Sequence, residues 1–487
     1  MKILKDILYG VNIERVVGTT EIALHQIQFD SRKIVTDDLF VAIRGVLTDG
    51  HDFIVNALEN GAKIVVCEAI PENIQNGVTY VEVTDSSKAL AFMASNFYGE
   101  PSKNLKLVGV TGTNGKTTIA SLLYQLFKKA GFKVGLISTV KIMVDNQVYE
   151  TTHTTPDSLT LNYYLKEMNV EGVEFCFMEV SSHGIDQNRV EALHFTGGIF
   201  TNITHDHLDY HKTFAIYRDV KKRFFDHLPK TAFCLINQDD KNGLFMQQNT
   251  LARKYTYALK SYANYRGQIL ENQLNGLLMK INDNELWTSL VGNFNAYNLL
   301  AIYGTADQLG LEHVETLRHM SELESVSGRF QLAISKGNIT AVVDYAHTPD
   351  ALQNVLNTIN NIRTKNEELI TVVGCGGDRD KTKRPKMANI AASLSTKVIF
   401  TSDNPRSEDP DVIIDEMEQG VQPHHFKKTM AITDRQQAIK TACQLAQTND
   451  IILIAGKGHE TYQEIDGIKY DFDDFKIVNE LLKQLQK

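Results

Sequence analysis

Residues 108–118 read V-G-V-T-G-T-N-G-K-T-T, and this stretch decides how the surrounding chain folds. A short apolar run precedes the glycines, and apolar residues recur at helical spacing over residues 119–127. The order strand, glycine-rich turn and helix is the context of a phosphate-binding loop, whose backbone N–H groups and helix N-terminus face phosphate oxygens. The pattern therefore predicts that a nucleotide binds at Gly112, Thr113, Asn114, Gly115, Lys116, Thr117 and Thr118.

The residue types in this turn each have a chemical role. Gly112 and Gly115 allow the backbone to curl so that its N–H groups point at phosphate oxygens. Lys116 brings a positive charge to the β- and γ-phosphates, and the Thr117 hydroxyl is a ligand for magnesium. The strict motif has a glycine where this chain has Val110. On the motif alone, a glycine turn that opens an ordinary helix therefore remains an alternative.

The composition is that of a globular protein with several domains. A chain of 487 residues corresponds to about three domains at roughly 150 residues each. The net charge of −9 argues against nucleic acid as the main partner, and no apolar run reaches the ~18 residues of a membrane span. The N-terminal residues lack the apolar region and cleavage site of a signal peptide. The five cysteines include no C-x-x-C pair, which favours free thiols in a reducing cytoplasm.

Strands that alternate with helices predict an α/β protein with three domains. The segment Glu100-Pro101-Ser102 marks the first boundary. Residues 255–290 differ from the rest, because short alternating strands with turns predict a small meander there. The predicted units are a smaller α/β domain at 1–101, a central phosphate-loop domain with a mostly parallel sheet at 102–329, and a doubly wound, Rossmann-like domain at 330–487.

Polar groups in the third predicted domain follow apolar runs of strand length. In doubly wound sheets, ligands lie beyond the carboxyl ends of the strands. One such group could arise by chance, but four together predict a binding site. They are residues 344–347 (D-Y-A-H), 376–379 (G-G-D-R), 403–406 (D-N-P-R) and 456–460 (G-K-G-H-E).

Two strand ends in the central domain carry residues of the kind that bind metals. Glu179 ends one apolar run, and His207 follows another. Carboxylate, imidazole and phosphate oxygens together can hold magnesium beside a nucleotide. Taken singly, Glu179 could instead cap a helix, and His207 could be a solvated loop histidine. Lys221 lies in a basic helical stretch, and nothing local distinguishes it from Lys222 or from any solvated lysine.

These motifs, in this order, resemble those of the Mur ligases, the ATP-dependent amide ligases of peptidoglycan synthesis. The resemblance covers essentially the whole chain. The phosphate loop of that family also lacks the first glycine, so Val110 becomes an expected feature. Phe224 and Phe330 stand where the family often has leucine and methionine, which keeps the apolar character. Further motifs that carry the resemblance are residues 30–32 (D-S-R), 154–156 (T-T-P), 179–183 (E-V-S-S-H), 206–211 (D-H-L-D-Y-H), 292–295 (G-N-F-N) with Asn298, and 328–330 (G-R-F).

The resemblance implies a role for each domain and for many residues. The first domain would bind a UDP-sugar substrate, the central one ATP, and the third an amino acid. Lys221 would be carbamylated, since it lies twelve residues after Asp209 and just before two phenylalanines. The implied catalytic and magnesium-binding groups are Lys116, Thr117, Glu179, His207 and the carbamate of Lys221. The residues implied to contact ATP, beyond the loop, are Asn295, Asn298, Arg329 and Asp344. Those implied to contact the UDP-muramoyl dipeptide are Ser31, Thr48, Thr154, Thr155, Ser181, Gln187 and Arg189.

The implied reaction adds meso-diaminopimelate to UDP-N-acetylmuramoyl-L-alanyl-D-glutamate through an acyl phosphate. ATP is the implied second substrate, Mg²⁺ the implied cofactor, and the enzyme is expected to be a cytoplasmic monomer. Arg379 and Arg406 follow strand ends, and their guanidinium forks suit the distal carboxylate that diaminopimelate has and lysine lacks. Glu460 would receive the distal ammonium. The residues assigned to diaminopimelate are Arg379, Asp403, Asn404, Pro405, Arg406, Gly456 and Glu460.

Other functions remain open on the sequence. A ligase of the same type could add L-lysine. Folylpolyglutamate synthetase would share the phosphate loop and metal ligands, but the D-N-P-R and D-S-R motifs argue against it. A nucleotide-gated switch or a pseudoenzyme belongs to a different class. The chain has no Asn-Lys-x-Asp guanine signature, and it retains the groups expected for catalysis.

Overall fold

The computed structural model describes residues 2–45, 48–151 and 153–485. Within these ranges it shows a mixed α/β protein with three large sheets, each inside one of the predicted domains. The predicted fold class and three-domain architecture are therefore confirmed, while the boundaries after residues 101 and 329 stay a prediction. No helix in the described ranges is long and apolar enough to cross a membrane.

The first sheet has five strands in the order β2-β7-β6-β5-β4, and β1 pairs separately with β3. Only β2 is antiparallel to its neighbour in the five-stranded sheet. Single 3-10 turns occupy Ser31–Lys33, Gly50–Phe53 and Pro101–Asn104. The elements are β1 (Lys2–Ile3), α1 (Leu4–Ile7), β2 (Ile13–Val17), β3 (Ala23–Leu24), β4 (Ile27–Gln28), β5 (Leu39–Val41), α2 (Ile54–Glu59), β6 (Ile64–Cys67), β7 (Thr79–Val83) and α3 (Ser86–Phe97).

The central sheet has eleven strands in the order β11-β10-β9-β12-β8-β13-β14-β15-β16-β17-β18. It is parallel from β9 to β16, and antiparallel pairs extend both edges. The predicted meander is therefore present, as an extension of this sheet. The elements are β8 (Lys106–Thr111), α4 (Lys116–Lys129), β9 (Val134–Ile137), β10 (Ile142–Val144), β11 (Gln147–Tyr149), α5 (Ser158–Val170), β12 (Phe175–Glu179), α6 (Ser182–Asp186), β13 (Gly197–Phe200), α7 (Leu208–His211), α8 (Phe214–Asp226), β14 (Phe233–Asn237), α9 (Gly243–Met246), β15 (Arg253–Ala258), β16 (Tyr265–Gln273), β17 (Gly276–Ile281), β18 (Asn284–Thr288), α10 (Asn293–Gln308) and α11 (His313–Ser321).

The third sheet has six strands in the order β19-β20-β24-β21-β22-β23, all parallel except the edge strand β19. A separate hairpin joins β25 and β26. The elements are β19 (Gln331–Ile334), β20 (Thr340–Asp344), α12 (Pro349–Ile362), β21 (Leu369–Val373), α13 (Lys383–Leu394), β22 (Lys397–Phe400), α14 (Pro410–Glu418), the 3-10 turn Pro423–Lys428, β23 (Thr429–Ala431), α15 (Arg435–Leu445), β24 (Ile451–Ala455), β25 (Tyr462–Ile465), β26 (Ile468–Asp471) and α16 (Asp474–Gln484).

The two large parallel sheets are buried on both faces. In β8, Leu107 packs into one apolar cluster, whereas Val108 and Val110 pack into the cluster on the opposite face, under α4. Alternate side chains of a strand point to opposite faces, so burial on both sides requires a continuous apolar run. The polar residues are left for the strand ends, and the ends of β8, β12 and β13 meet at one edge of the sheet. The site described below lies at that edge.

Candidate active site

The phosphate-binding loop connects β8 to α4. Gly112 has a φ of 151°, and a Cβ atom there would lie 1.9 Å from Thr201 Oγ1. A side chain does not fit so close to the end of β13, which is why glycine stands at this position. The N–H of Asn114 donates to Asn202 Oδ1 (3.0 Å), and the Thr201 hydroxyl donates to the Asn114 carbonyl (2.6 Å). The neighbouring strand end therefore holds the loop in its curled form.

Lys116 is folded back over this loop. Its Nζ donates to the carbonyls of Gly112 and Thr113, at 2.9 Å each. Burial lowers the pKa of Lys116, and the charges of Glu179 and Asp206 oppose that shift. The side chain also lines the cavity above the loop, where it can meet phosphate oxygens.

Glu179 and Thr117 form the polar floor of the same cavity. The Thr117 hydroxyl donates to Glu179 Oε2 (3.0 Å), and the N–H of Thr139 donates to Glu179 Oε1 (2.7 Å). Arg329 reaches across from the last position of the predicted central domain, and its Nη2 donates to Thr117 Oγ1 (3.1 Å). Because Glu179 is fully buried, its carboxylate is held in one place by these donors. The predicted helix-cap alternative for Glu179 is therefore wrong.

Lys221 is distinguished from Lys222 by its position. Its Nζ is buried, donates to the Gly112 carbonyl (3.0 Å) and lies 4.8 Å from the centre of the Tyr217 ring. Burial, followed by the charge of Lys116, lowers the pKa of Lys221 well below its ordinary value. Lys222 Nζ instead pairs with Asp226, at 2.6 and 2.7 Å. No carboxylate among the described residues forms an ion pair with Lys221. The amine of Lys221 therefore contacts the phosphate-binding loop without a carboxylate counter-ion.

His207 lies at the rim of the cavity in a left-handed conformation, with a φ of 53°. Its ring centre is 4.9 Å from that of His183, and its Nε2 is 3.4 Å from Asp206 Oδ2. Burial lowers the pKa of His207 to about 4, so the ring is neutral near pH 7 and available as a ligand. Across the described ranges, no group of three or more His, Cys, Asp or Glu side chains is close enough to hold a metal ion.

The predicted magnesium ligands fit the metal in chemical type. Magnesium prefers oxygen ligands and usually keeps several waters, with one or two carboxylates and substrate phosphates. Glu179 and the Thr117 hydroxyl supply such oxygens, and a carbamate on Lys221 would supply more. The described structure therefore contains a partial set, to which a modified lysine and nucleotide phosphates would have to contribute.

A cavity of about 300 Å³ lies above the loop and holds most of the residues predicted to bind ATP. Asn298 Nδ2 donates to Asn295 Oδ1 (3.0 Å), and Asn298 lies so close to Gly115 that a Cβ there would be 2.9 Å from its Oδ1. Asp344 Oδ2 accepts the N–H of Phe330 (2.7 Å), and burial raises the pKa of Asp344 to about 6. The predicted residues that line this cavity are Thr113, Asn114, Gly115, Lys116, Thr117, Thr118, Asn295, Asn298, Arg329 and Asp344.

A second cavity, of about 570 Å³, opens beyond the strand ends of the third domain. Arg406 Nη1 donates to the Gly377 carbonyl (2.7 Å), and its Nε lies 3.3 Å from Glu464 Oε2. Glu460 Oε2 accepts from Asn404 Nδ2 (2.8 Å). The predicted amino-acid-binding residues on its wall are Arg379, Asp403, Asn404, Arg406, Gly456 and Glu460, while Pro405 does not line it.

The two cavities share one edge. Asp206, His207, Tyr345, His347 and Thr348 line both of them. His347 Nδ1 is 2.9 Å from the Tyr345 carbonyl, and burial lowers the pKa of His347. The sequence analysis did not assign Asp206, Tyr345 or His347 a role, although it quoted the motifs that contain them. The position of Tyr345 and His347 just after the strand Thr340–Asp344 was the available signal for these two residues.

A third cavity, of about 1130 Å³, lies between the first and central domains. Ser31, Thr48, Gln187 and Arg189 line it, as predicted for the UDP substrate. Arg189 Nη1 donates to the Thr155 carbonyl (2.6 Å), and its Nη2 donates to Gln187 Oε1 (2.6 Å).

The other three residues predicted to contact that substrate lie elsewhere. Thr154 lines the nucleotide cavity. The Thr155 hydroxyl donates to the Glu179 carbonyl (2.9 Å) and accepts the N–H of Ser181 (2.9 Å), so it joins two backbone segments. Ser181 Oγ accepts the N–H of Gly184 (3.0 Å) and caps α6. Their positions connect the substrate cavity to the nucleotide cavity.

Comparisons with known proteins agree with this geometry. Three family models match the chain: "Mur ligase family, catalytic domain" at residues 23–98, "Mur ligase middle domain" at 110–306, and "Mur ligase, glutamate ligase domain" at 328–458. The UDP-N-acetylmuramoyl-L-alanyl-D-glutamate–2,6-diaminopimelate ligase of Cytophaga hutchinsonii is 53% identical over 485 residues, which cover 99% of this chain and 100% of the relative.

Solved structures show the same likeness. A ligase of the same name superposes with a TM-score of 0.70 at 31% identity, and covers 100% of this chain and 99% of its own. MurF ligase from Thermotoga maritima in complex with ADP has a TM-score of 0.63 at 18% identity, and covers 94% of this chain and 98% of its own, which shows a shared fold. With models that match three successive regions and a relative identical at half of all positions over the full length, this chain belongs to the Mur ligase family.

Proposed function

We propose that this chain is the ATP-dependent ligase that joins meso-diaminopimelate to UDP-N-acetylmuramoyl-L-alanyl-D-glutamate, forming ADP and phosphate, in peptidoglycan precursor synthesis. The relatives of that name match over the whole chain. The observation that carries the mechanism is the shared edge of the nucleotide and amino-acid cavities. A carboxylate at this edge can be phosphorylated from one side and attacked by an amine from the other.

The first step transfers the γ-phosphoryl group of ATP to the substrate carboxylate. A carboxylate oxygen forms a bond to phosphorus as the bond to ADP breaks, which leaves an acyl phosphate. Catalysis of such a transfer is mostly positioning and neutralisation of charge. Lys116, which is folded over the loop, and Arg329, which donates to Thr117, provide the positive charge in this chain. Magnesium, when bound by Thr117, Glu179, His207 and a carbamate on Lys221, would supply further neutralisation.

The carbamate on Lys221 is a proposal that its environment supports. A carbamate forms when a neutral amine adds to CO₂ and releases a proton. Burial beside Lys116 favours the neutral amine at Lys221. The product is an anion, which would relieve the repulsion between the two lysines. Lys222 instead donates to Asp226 and makes no such contact with the loop.

The second step is attack by the amine of diaminopimelate on the acyl phosphate. The tetrahedral intermediate collapses, the amide bond forms, and phosphate leaves. The site must hold the amino acid with its reacting amine at the shared edge and its distal end deeper in the 570 Å³ cavity. Effective positioning of this kind can lower a barrier by several kcal/mol, about 7–11 at best.

The charges of that cavity favour diaminopimelate over lysine. Arg379 and Arg406 lie on its wall, and so do Asp403 and Glu460. Diaminopimelate ends in a carboxylate and an ammonium, which matches both signs. Lysine has no distal carboxylate to pair with the arginines, and removing one partner of a buried charge pair costs roughly 2–5 kcal/mol. The alternative of an L-lysine-adding ligase is therefore less favourable for this cavity.

The five cysteines support a reducing compartment. Among the described residues, Cys67, Cys176, Cys234 and Cys375 are free and buried, and Cys443 is buried as well. We place the enzyme in the cytoplasm as a monomer, where its nucleotide-linked substrate is made.

The test is the release of ADP and phosphate from the purified chain with ATP, magnesium, UDP-muramoyl dipeptide and diaminopimelate, each left out in turn. We expect amide product only when all are present. Amide formation with a folate substrate in place of the UDP-muramoyl dipeptide would instead support folylpolyglutamate synthetase. No amide product from the complete mixture would support a switch or pseudoenzyme.

A further inference from the structure

A buried cation lies directly behind the wall of the amino-acid cavity. Lys457 is 0% exposed, and its Nζ donates to Asn404 Oδ1 (2.8 Å) and Glu460 Oε2 (3.2 Å). The same nitrogen lies 3.9 Å from Asp403 Oδ1. All three partners line the 570 Å³ cavity, whereas Lys457 does not. Lys457 therefore contacts the binding wall without being able to touch a bound amino acid.

The local backbone explains why the lysine points inward. Gly456 and Gly458 have φ values of 121° and 54°, in the left-handed region that glycine tolerates. A Cβ at Gly456 would lie 2.5 Å from Asp403 Oδ2, and one at Gly458 would lie 2.7 Å from the Gly328 carbonyl. These two turns carry Lys457 under the loop that begins at Asp403.

Its contacts fix one oxygen of Glu460 and leave the other near the cavity. Glu460 Oε2 accepts from both Lys457 and Asn404 Nδ2. Among the residues that the structure describes, the hydrogen-bond donor to Glu460 Oε1 is the Tyr345 hydroxyl, at a long distance of 3.5 Å. The side-chain oxygen Oδ1 of Asn404 also accepts the N–H of Glu464 (3.0 Å), so the side-chain amide cannot turn away. The network thus presents one carboxylate oxygen in a fixed direction.

The positive charge of Lys457 opposes the protonation of Glu460, which burial of that carboxyl group favours. Burial, followed by the nearby Asp403, raises the pKa of Glu460, and Lys457 and Asn404 act in the opposite direction. Two carboxylates in a dry site without a cation would tend to share a proton. A protonated Glu460 would be a poor partner for an ammonium group.

We infer that Lys457 is a positioning residue for amino-acid selection: it holds the carboxylate of Glu460 charged and in place for the distal ammonium of diaminopimelate. The inference rests on the proposed role of Glu460 in that site. Three residues would then select the amino acid. Arg406 would bind its distal carboxylate, Glu460 would bind its distal ammonium, and Lys457 would hold Glu460 in place.

The test is steady-state kinetics of the full chain with Lys457→Met, which keeps the length of the side chain and removes its charge. We expect the KM for diaminopimelate to rise at least tenfold at pH 7, with the KM for ATP within twofold. Raising the pH to 8.5 should recover part of the loss, because Glu460 then ionises without help. A merely structural defect would affect the KM for ATP as well and would not respond to pH. An unchanged KM for diaminopimelate would overturn the inference.

Two further measurements separate this inference from the proposed function. Glu460→Gln should raise the KM for diaminopimelate on its own; if it does not, the proposed role of Glu460 fails. If Glu460→Gln has the effect and Lys457→Met does not, only the role of Lys457 fails. Should Lys457→Met not fold, the unmodified enzyme still provides a test. Its KM for diaminopimelate should stay flat from pH 7.5 to 6.5, and a steep rise over that range would contradict a Glu460 held charged by Lys457.

Discussion

Lys221 Nζ lies 3.0 Å from the carbonyl oxygen of Gly112, so a buried amine of α8 donates to the first glycine of the phosphate-binding loop. The two residues are 109 positions apart in sequence. This contact ties the nucleotide loop to the lysine that the family resemblance marks for carbamylation. It also brings two lysines together, since Lys116 donates to the same carbonyl (2.9 Å).

Lys221→Met should abolish most of the activity, because it removes the proposed carbamate from the magnesium site. Loss of one preorganised electrostatic group costs roughly 10²–10³ in kcat. The matched control is the adjacent Lys222→Met, which loses an ion pair with Asp226 on the other side of the helix and should keep near-normal kcat. Equal losses in the two variants would contradict a special role for Lys221. An added carboxyl group on Lys221, seen in crystallographic density, would show the modification directly.

Glu179→Gln should lower kcat by roughly 10²–10³ while leaving the KM for the UDP substrate unchanged. The amide has nearly the shape of the carboxylate, but it keeps a single acceptor oxygen for Thr117 or Thr139 and carries no charge for a metal. Thermal unfolding of the variant provides the control for a correct fold. A normal kcat in a folded Glu179→Gln enzyme would remove Glu179 from the proposed magnesium site.

Arg406→Lys should raise the KM for diaminopimelate although it keeps the positive charge. A lysine cannot reproduce the planar fork of a guanidinium group on a carboxylate. We expect a rise of about tenfold or more, corresponding to roughly 1.4 kcal/mol. Kinetics with varied diaminopimelate at saturating ATP would measure it. An unchanged KM in this variant and in Arg406→Ala would exclude Arg406 from amino-acid binding.

Asp474→Asn should destabilise the third domain by about 3–5 kcal/mol, because it leaves a buried guanidinium without its counter-ion. Arg435 and Asp474 are both 0% exposed and form a two-point ion pair, at 2.9 and 2.7 Å. The half-exposed pair of Arg15 with Glu82 is the control, and Glu82→Gln should cost only about 0–1 kcal/mol. Chemical denaturation of the variants would compare them. Equal costs at the two sites would contradict the importance assigned to burial.

Glu191→Gln should lower thermal stability most between about pH 4.5 and 6.5. Glu191 joins Lys88 of the first domain (2.8 Å) to His227 of the central domain (3.4 Å). A hydrogen bond from His227 lowers the pKa of Glu191 to about 2, so its stabilising effect is complete above its unfolded value of 4.5 and is lost as the pH falls from there towards 2.

His227, which pairs with Glu191, titrates in the opposite sense to Glu191. The hydrogen bond to Glu191 raises the pKa of His227 above 6.5, so that contribution is complete below 6.5 and is lost as the pH rises through the raised value. At a pH above the raised pKa of His227, Lys88 is the partner among the described residues that remains paired with Glu191. Melting curves of the unmodified protein and of Glu191→Gln from pH 3 to 9 would show these two transitions. A difference in Tm between the two proteins that does not vary with pH would contradict the prediction.

The sequence predicted the strands and helices of the third domain closely, because long apolar runs and helical periodicity are local signals. Apolar runs of strand length were predicted before the four polar groups of that domain, and the structure has strands there, at Thr340–Asp344, Leu369–Val373, Lys397–Phe400 and Ile451–Ala455. The edge strands Gln331–Ile334 and Thr429–Ala431 were missed. Edge strands are short and less apolar, and pairing with a distant partner, which a local pattern does not report, is what forms them.

The candidate site was predictable in part. Strand-end motifs identify the residues of each cavity, since a parallel sheet gathers its carboxyl ends. The family resemblance singled out Lys221, whereas the local sequence did not distinguish it from Lys222, although a local signal was present. Tyr217 and Phe225 flank Lys221 at four-residue spacing, which places it in the centre of the apolar stripe of α8. Lys457 lies in one of these motifs, but its role could not be predicted, because two of its three partners, Asp403 and Asn404, lie more than fifty positions away.

The most direct test of the proposed function is a competition. The purified chain would be given equimolar diaminopimelate and L-lysine, with ATP, magnesium and the UDP-muramoyl dipeptide, and the two products would be separated by mass. With the arginines and Glu460 placed as they are, we predict an excess of the diaminopimelate product of at least about 30-fold, as expected for one buried charge pair. Equal amounts of both products, or an excess of the lysine product, would contradict the proposal.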